Sequence, residues 1–312
     1  MNWNLFLTEL VTGLTRGSVY ALIALGYSMV YGILKLLNFA HGDIYMIGAF
    51  IGFGIESVFG GPVGALSIPL ALLIVIMFAA AMLGGGLTGV AIERFAYRRL
   101  RNAPRIAPLI TALGVSFFLE NAALLLLSAQ FRSYDTFTLA GGALWAHGIH
   151  LPSGVYVALP QLIVIVGSLL LMVALTVLVT RTQLGKAMRA TSFDREAASM
   201  MGIDVDRVVV WTFFIGSALA GAAGVMVGLV FQQVWPYMGF QAGLKAFTAA
   251  VVGGIGNIPG AVLGGLVIGL AEAFATGYLS STFQDAIVFA ILIAVMLVRP
   301  SGLLGRAAVH KV

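Results

Sequence analysis

The chain has 312 residues, of which 60% are hydrophobic and 9% charged, with a formal net charge of +5. A soluble domain carries about 25% charged residues, so this composition excludes a water-soluble fold, which could not cover its own surface. Cysteine is absent, which removes disulfides, thiol catalysis and cysteine metal sites and leaves the redox compartment open.

Long apolar runs cover residues 63–92, 106–127, 155–179, 208–231 and 286–298. About 20 apolar residues cross a hydrocarbon core of about 30 Å as a helix. The predicted fold class is therefore all-α: one polytopic membrane bundle over residues 1–312. The first helix is expected at residues 4–34, and it lacks the basic start and small-residue cleavage site of a secretory signal, so it is expected to be kept. A break at residues 35–43 holds Asn38, His41 and Asp43, and a second helix runs to about residue 55. These polar residues either bond to backbone groups freed at the break or line a gate. No metal-ligand spacing surrounds His41, and a structural role is the more economical one. After the run at 63–92 comes a basic segment, 93–105, with Arg94, Arg98, Arg99, Arg101 and Arg105.

The helix expected at 107–129 carries Glu120 next to Asn121. A charge at mid-bilayer costs about 2.5–3.5 kcal/mol on insertion scales. Glu120 therefore either lines a pathway and contacts a substrate amine, or pairs with a polar group on another helix; the pairing is favoured. Residues 130–154, with Trp145, His147 and His150, form an outer loop expected at the membrane surface or beneath an external partner. A helix at 155–180 leads into a second basic segment, 181–207, with Arg181, Lys186, Arg189, Arg195 and Arg207. A helix at 208–232 exits to residues 235–240. A short helix at 244–256 then runs into Gly253-Gly254-Ile255-Gly256-Asn257-Ile258-Pro259-Gly260, a strong breaker. Lys245 and Asn257 flank that short helix, with the same two alternatives as at the first break. The return helix to about residue 278 contains Glu272, expected to join helices or to sit at the interface. A last helix at 284–299 precedes a tail with Arg299, Arg306 and Lys311.

The three basic segments hold 13 of the 17 Lys and Arg residues, which places them in the cytoplasm and accounts for the net positive charge without any nucleic acid partner. Threading the spans between them gives eight to ten helices, an outer N-terminus and an inner C-terminus. Residues 37–54 and 236–253 correspond weakly on opposite sides of the membrane, an inverted repeat of the kind found in transporters. Small residues at four-residue spacing (Gly13/Gly17, Gly85/Gly89, Gly216/Ala220, Gly224/Gly228, Gly260/Gly264, Gly265/Gly269) predict close helix packing.

The segment 181–207 predicts a short helix outside the bilayer. Ser192 can cap its start, Asp194 falls in the first turn and Gly202 suits its end. Phe193, Ala197, Met200 and Met201 then share one apolar face, which needs a partner. Glu196-Ala197-Ala198, three residues, then Gly202 resembles the EAA-x3-G loop of ABC importer permeases, and the resemblance implies a coupling helix that docks on a cytoplasmic ATPase. Two further runs, from Gly13 to Gly32 leading into Leu37-Asn38-Phe39-Ala40-His41-Gly42-Asp43, and from Lys245 to Gly265, resemble the LivH-type permeases of branched-chain amino-acid ABC transporters. With the loop, the resemblance covers nearly the whole chain.

The resemblance implies an importer of the bacterial inner membrane with two related permeases, two ATPases carrying ATP and Mg, and an external substrate-binding protein. It implies leucine, isoleucine and valine as substrates, although related permeases handle urea, amides or aromatic acids. A phosphate-cradling loop needs Gly-x4-Gly-Lys-Ser/Thr. At the single Gly-Lys pair, Gly185-Lys186, the earlier glycine is replaced by Thr180 and Ala187 stands where Ser or Thr is required. The chain is thus expected to bind no cofactor and to hydrolyse no ATP itself. The rival is a stand-alone secondary transporter, favoured by the possible inverted repeat and opposed by the coupling-type loop. A membrane enzyme ranks third, because no nucleophile–base or metal constellation is visible.

Overall fold

The computed structural model describes residues 3–59, 69–100, 103, 104, 106–134, 144, 147–150 and 154–305. Arg101, Arg105, Trp145, Arg306 and Lys311, named above, lie outside the described residues. Within them the chain forms α1 (Trp3–Leu34), α2 (His41–Phe59), α3 (Leu70–Ile92), α4 (Ile106–Leu127), α5 (Leu159–Arg181), α6 (Gln183–Phe193), α7 (Arg195–Met200), α8 (Val205–Phe231), α9 (Met238–Gly253), α10 (Ile258–Tyr278) and α11 (Gln284–Val298). Among the described residues eight helical segments are long and apolar enough to cross a membrane, the last of them, Ser281–Val298, being α11 with the 3-10 turn before it, and the protein is a multi-pass membrane helical bundle. The 16-residue α9 is shorter than a full span and completes a ninth pass between α8 and α10. Among the described residues an odd number of passes sets Trp3 and Val298 at opposite ends of the bundle.

Two helices form the centre. More than four-fifths of the most apolar window of α1 and of α8 is buried, whereas α4, α5 and α11 leave most of theirs exposed, as lipid-facing helices do. Lipid tails offer no hydrophobic drive for association, so backbone proximity must supply the packing. A Cβ on Gly13 or Gly17 of α1 would stand 2.9 Å from the Cα of Leu270 or Leu266 in α10. Gly85 and Gly89 of α3 meet Ser217 of α8, and Gly224 of α8 meets Ala49 of α2. The small-residue spacings read in the sequence thus sit at helix contacts.

The pairing of helices has an internal symmetry. Helix α1 packs on α10 as α8 packs on α3, α9 packs on α1 as α2 packs on α8, and α9 packs on α10 as α2 packs on α3. Exchanging α1–α4 with α8–α11 therefore preserves the main contacts. Since α1 and α8 cross in opposite directions, the repeat is inverted. The short helices α2 and α9 begin beside each other inside the bundle, with Gly42 against Gly239 and Gly243, where any Cβ would overlap backbone.

One end of the bundle gathers the described parts of the basic segments. The Arg98 Nη2 lies 2.8 Å from Asp206 Oδ2, and Arg195 reaches the last turn of α1. Residues 252–256 lie beside Gly32 and beneath residues 303–305. At the opposite, outer end, strand β1 (Arg132–Ser133) runs antiparallel to β4 (Gln233–Val234), and β2 (Gly148–His150) pairs with β3 (Tyr156–Ala158). The loop expected at 130–154 thus contains strands that helical periodicity did not anticipate. His147 is exposed and its carbonyl accepts from Leu159 N, while His150 stacks on Tyr156 with ring centroids 4.8 Å apart. Tyr134 is fully buried over α2, and its hydroxyl donates to the Ala49 carbonyl at 2.6 Å. Burial pushes its phenol well above the usual tyrosine range, which keeps it a donor.

The layout makes a direct prediction in a chain without cysteine. Gln130→Cys and Ser281→Cys react with a membrane-impermeant maleimide in intact cells. Ser199→Cys and Arg299→Cys react only after permeabilisation; labelling of either from outside would overturn the assigned sides.

Candidate functional site

Three groups of residues deserve a chemical reading: the inner loop, the α1–α2 break and a cavity at the outer end. In the inner loop the structure corrects the sequence expectation. Ser192 does not start a helix; it lies near the end of α6, with its hydroxyl donating to the Arg189 carbonyl. Asp194 is not in a first turn. It stands between two helices, ends α6 and caps α7, accepting from Glu196 N at 2.9 Å and Ala197 N at 3.0 Å. Aspartate wins this role because its short carboxylate satisfies the free N–H groups of a helix start. The single apolar face of Phe193, Ala197, Met200 and Met201 is thereby broken. Ala198, not Ala197, is the buried member and turns toward the bundle. Phe193 is 91% exposed, and Met200 and Met201 are each 82% exposed. Gly202 ends the segment at φ +82°, a left-handed conformation that costs other residues about 1–2 kcal/mol. Glu196 is exposed beside these apolar groups.

The loop is tied to the core. The Arg195 guanidinium donates to the Ile33 carbonyl, at 2.8 Å from Nη2 and 3.3 Å from Nε. Ile33 belongs to the last turn of α1, whose carbonyls lack partners within the helix. Lys35 follows at φ 56° and closes that helix.

At the break, Asn38 and His41 are buried. The Tyr97 hydroxyl donates to the Leu37 carbonyl at 3.1 Å and to Asn38 Oδ1 at 3.2 Å. Tyr97 closes a π-helical turn, Glu93–Tyr97, at the inner end of α3. His41 packs against Gly26 and meets the Tyr27 ring edge-on at 4.8 Å. Asp43 lies in the first turn of α2, where a carboxylate suits the helix dipole, and faces Ser116 and Glu120 of α4. Glu120 was expected to find a polar partner on another helix. The group it faces is a second carboxylate, and its Oε1 has no hydrogen-bond partner.

Lys245 and Asn257 also differ from expectation. Helix α9 starts at Met238 rather than near 244, so Lys245 lies inside it and does not flank it. Asn257 precedes α10 and donates from Nδ2 to the Leu304 carbonyl at 2.6 Å. Lys245 enters an ionic cluster that the sequence did not reveal. Its Nζ lies 2.8 Å from Glu272 Oε1 and 2.7 Å from Asp285 Oδ1. Arg16 Nη1 lies 3.5 Å from the same Glu272 oxygen, and the Tyr20 hydroxyl donates to Glu272 Oε2 at 2.7 Å. Helices α1 and α9 thus converge on one carboxylate of α10, and α11 joins the cluster through Lys245. Arg16, Tyr20, Lys245 and Glu272 line a cavity of about 360 Å³ together with Val19, Tyr45, Val227 and Met238. The available signal was charge itself: only Arg16, Lys35, Arg132 and Lys245 among the 17 basic residues lie outside the three basic segments.

Glu272→Leu leaves Arg16 without its carboxylate and Lys245 with only the exposed Asp285, and is expected to destabilise the protein by about 3–5 kcal/mol. Thermal melting in detergent would show this as a large drop, whereas Asp285→Asn, at the exposed rim, lowers stability little.

Residues 9–296 match the family described as the branched-chain amino acid transport system / permease component. The high-affinity branched-chain amino acid transport system permease protein BraD of Pseudomonas aeruginosa is 44% identical over 307 residues, covering 98% of each chain. The corresponding permease protein LivH of Escherichia coli K12 is 43% identical over 310 residues, again with 98% of each chain covered. LivH of Salmonella typhimurium LT2 is 43% identical over 308 residues and 98% of each chain.

Proposed function

We propose that this chain, which belongs to the family of branched-chain amino acid transport system permease components, is one membrane-spanning half of an ATP-driven importer for leucine, isoleucine and valine. Its partners in this reading are a second, related permease, two cytoplasmic ATPases and an external substrate-binding protein, in the inner membrane of a bacterium. ATP and Mg belong to the ATPases. The relatives BraD and LivH, permease proteins of high-affinity branched-chain amino acid transport systems, support the substrate class.

The observation that carries the coupling role is the inner loop. Phe193, Met200 and Met201 are almost fully exposed beyond the inner ends of the membrane helices, among Asp194, Glu196 and Arg189. Three large exposed apolar side chains within one short charged loop mark a surface that another protein covers. Arg195 joins this surface to the end of α1, and Ala198 seats α7 on the bundle. A movement imposed at α7 therefore reaches α1 and the break that follows it. The inverted repeat would equally suit a secondary transporter, but such a protein has no use for an anchored apolar knob on its inner face.

Single cysteines at Phe193 and Met200 should cross-link to the partner ATPase in native membranes. Glu196→Lys should reduce ATP-driven leucine uptake at least tenfold without reducing the amount of protein in the membrane. Absence of any adduct together with full uptake by Glu196→Lys and Gly202→Trp would sink the coupling assignment.

A further inference from the structure

The outer cavity has a charge imbalance that the fold alone does not require. Arg16, Lys245 and Glu272 are at least four-fifths buried in their side chains, while Asp285 is 57% exposed at the rim. Two buried cations thus share one buried carboxylate. The balancing charge sits where water screens it. Glu272 already has three partners: one oxygen faces both cations and the other takes Tyr20. Arg16 Nε is buried and donates to nothing. A buried guanidinium edge without an acceptor costs free energy comparable to a lost charged hydrogen bond. It is relieved when an anion binds, and carboxylates fit the planar donor fork of arginine.

Position and size agree with a small ligand entering from outside. At 1.5 Å per residue, Arg16 lies about 27 Å from the inner end of α1, near the outer boundary of a hydrocarbon core about 30 Å thick. The other lining residues include Phe231 at the end of α8 and Gln284 at the start of α11, both outer ends, and Met238, where α9 begins inside the bundle. The volume of about 360 Å³ falls in the range of about 300–1,000 Å³ usual for small-molecule sites. The same lining includes the apolar side chains of Val19, Val227 and Met238.

We propose that this cavity receives the α-carboxylate of the transported amino acid, with Arg16 and Lys245 as its cationic ligands and these apolar residues against the aliphatic side chain. The assignment rests on the importer reading given above and places the substrate's first intramembrane contact between α1 and α9. Asp285 competes for Lys245 at the rim, so the site holds substrate weakly enough to release it.

The test uses the assembled transporter in nanodiscs without binding protein, with L-leucine and L-leucinamide as probes in saturation-transfer NMR. Leucine should bind and leucinamide, which lacks the carboxylate, should not. Arg16→Met and Lys245→Met should each weaken leucine at least tenfold, and Lys245→Arg should restore it. Asp285→Asn removes the competing carboxylate and should tighten leucine at least twofold, an effect that a purely structural ion network would not produce. Equal binding of leucine and leucinamide would overturn the proposal. So would unchanged affinity in folded Arg16→Met and Lys245→Met complexes, or weaker binding in Asp285→Asn. If the wild-type complex, reconstituted in proteoliposomes with its ATPases and binding protein, drives leucine uptake while any of these holds, the cavity assignment alone falls. If the wild-type complex drives no uptake, the importer reading falls first.

Discussion

Backbone hydrogen bonding where water is absent is the constraint on which this structure depends. A helix that stops inside a bilayer exposes groups costing several kcal/mol each, and such stops survive only where protein surrounds them. Two helices, α2 and α9, begin inside the bundle, and the rest of the architecture encloses them. Helices α1 and α8 cross at the centre and shield both starts, and their glycines let α10, α3 and α2 approach closely. The end of α9 shows the same rule. Its carbonyls at Val252 and Gly253 accept from Leu303 N at 2.8 Å and Leu304 N at 3.0 Å. The segment after the last helix therefore supplies the donors that water would supply elsewhere.

The inverted repeat gives this solution twice. Each half places a short second helix against the long first helix of the other half, and each sets polar side chains between its second and fourth helices. In one half these are Asp43 facing Ser116 and Glu120; in the other, Lys245 against Asp285. The two halves share an arrangement and differ in charge. One polar pocket is acidic, and the other pairs two cations with two carboxylates toward the outer end.

Much of this was legible in the sequence because hydropathy is a local property. Helices α4, α5, α8 and α11 start and stop within a few residues of their expected bounds, and both breaks fall where glycine, proline or clustered polar residues interrupt an apolar run. Two kinds of feature were not legible. The first is competition between capping residues: Ser192 and Asp194 both suit a helix start, and only the packing of Ala198 against the bundle selects Asp194. The second is contact across distance. Arg16 and Glu272 are separated by almost the whole chain, and nothing near Arg16 in the sequence announces a carboxylate. The residues singled out at the break were buried, but the charged cluster formed elsewhere, around a lysine whose helix began earlier than the glycine pattern implied.

Helix α1 contains no proline and runs unbroken through its 32 residues, so it behaves as a stiff rod rather than a hinged one. Arg195 grips one end through the Ile33 carbonyl, and Arg16 and Tyr20 project from it near the other. The rod's outer contact with Glu272 is uneven: Tyr20 holds at 2.7 Å, whereas the Arg16 ion pair is stretched to 3.5 Å beside a tight Lys245 pair at 2.8 Å. A small tilt imposed at the inner end would open the stretched pair first, turning a lever on the inside face into a change of grip on the outside one.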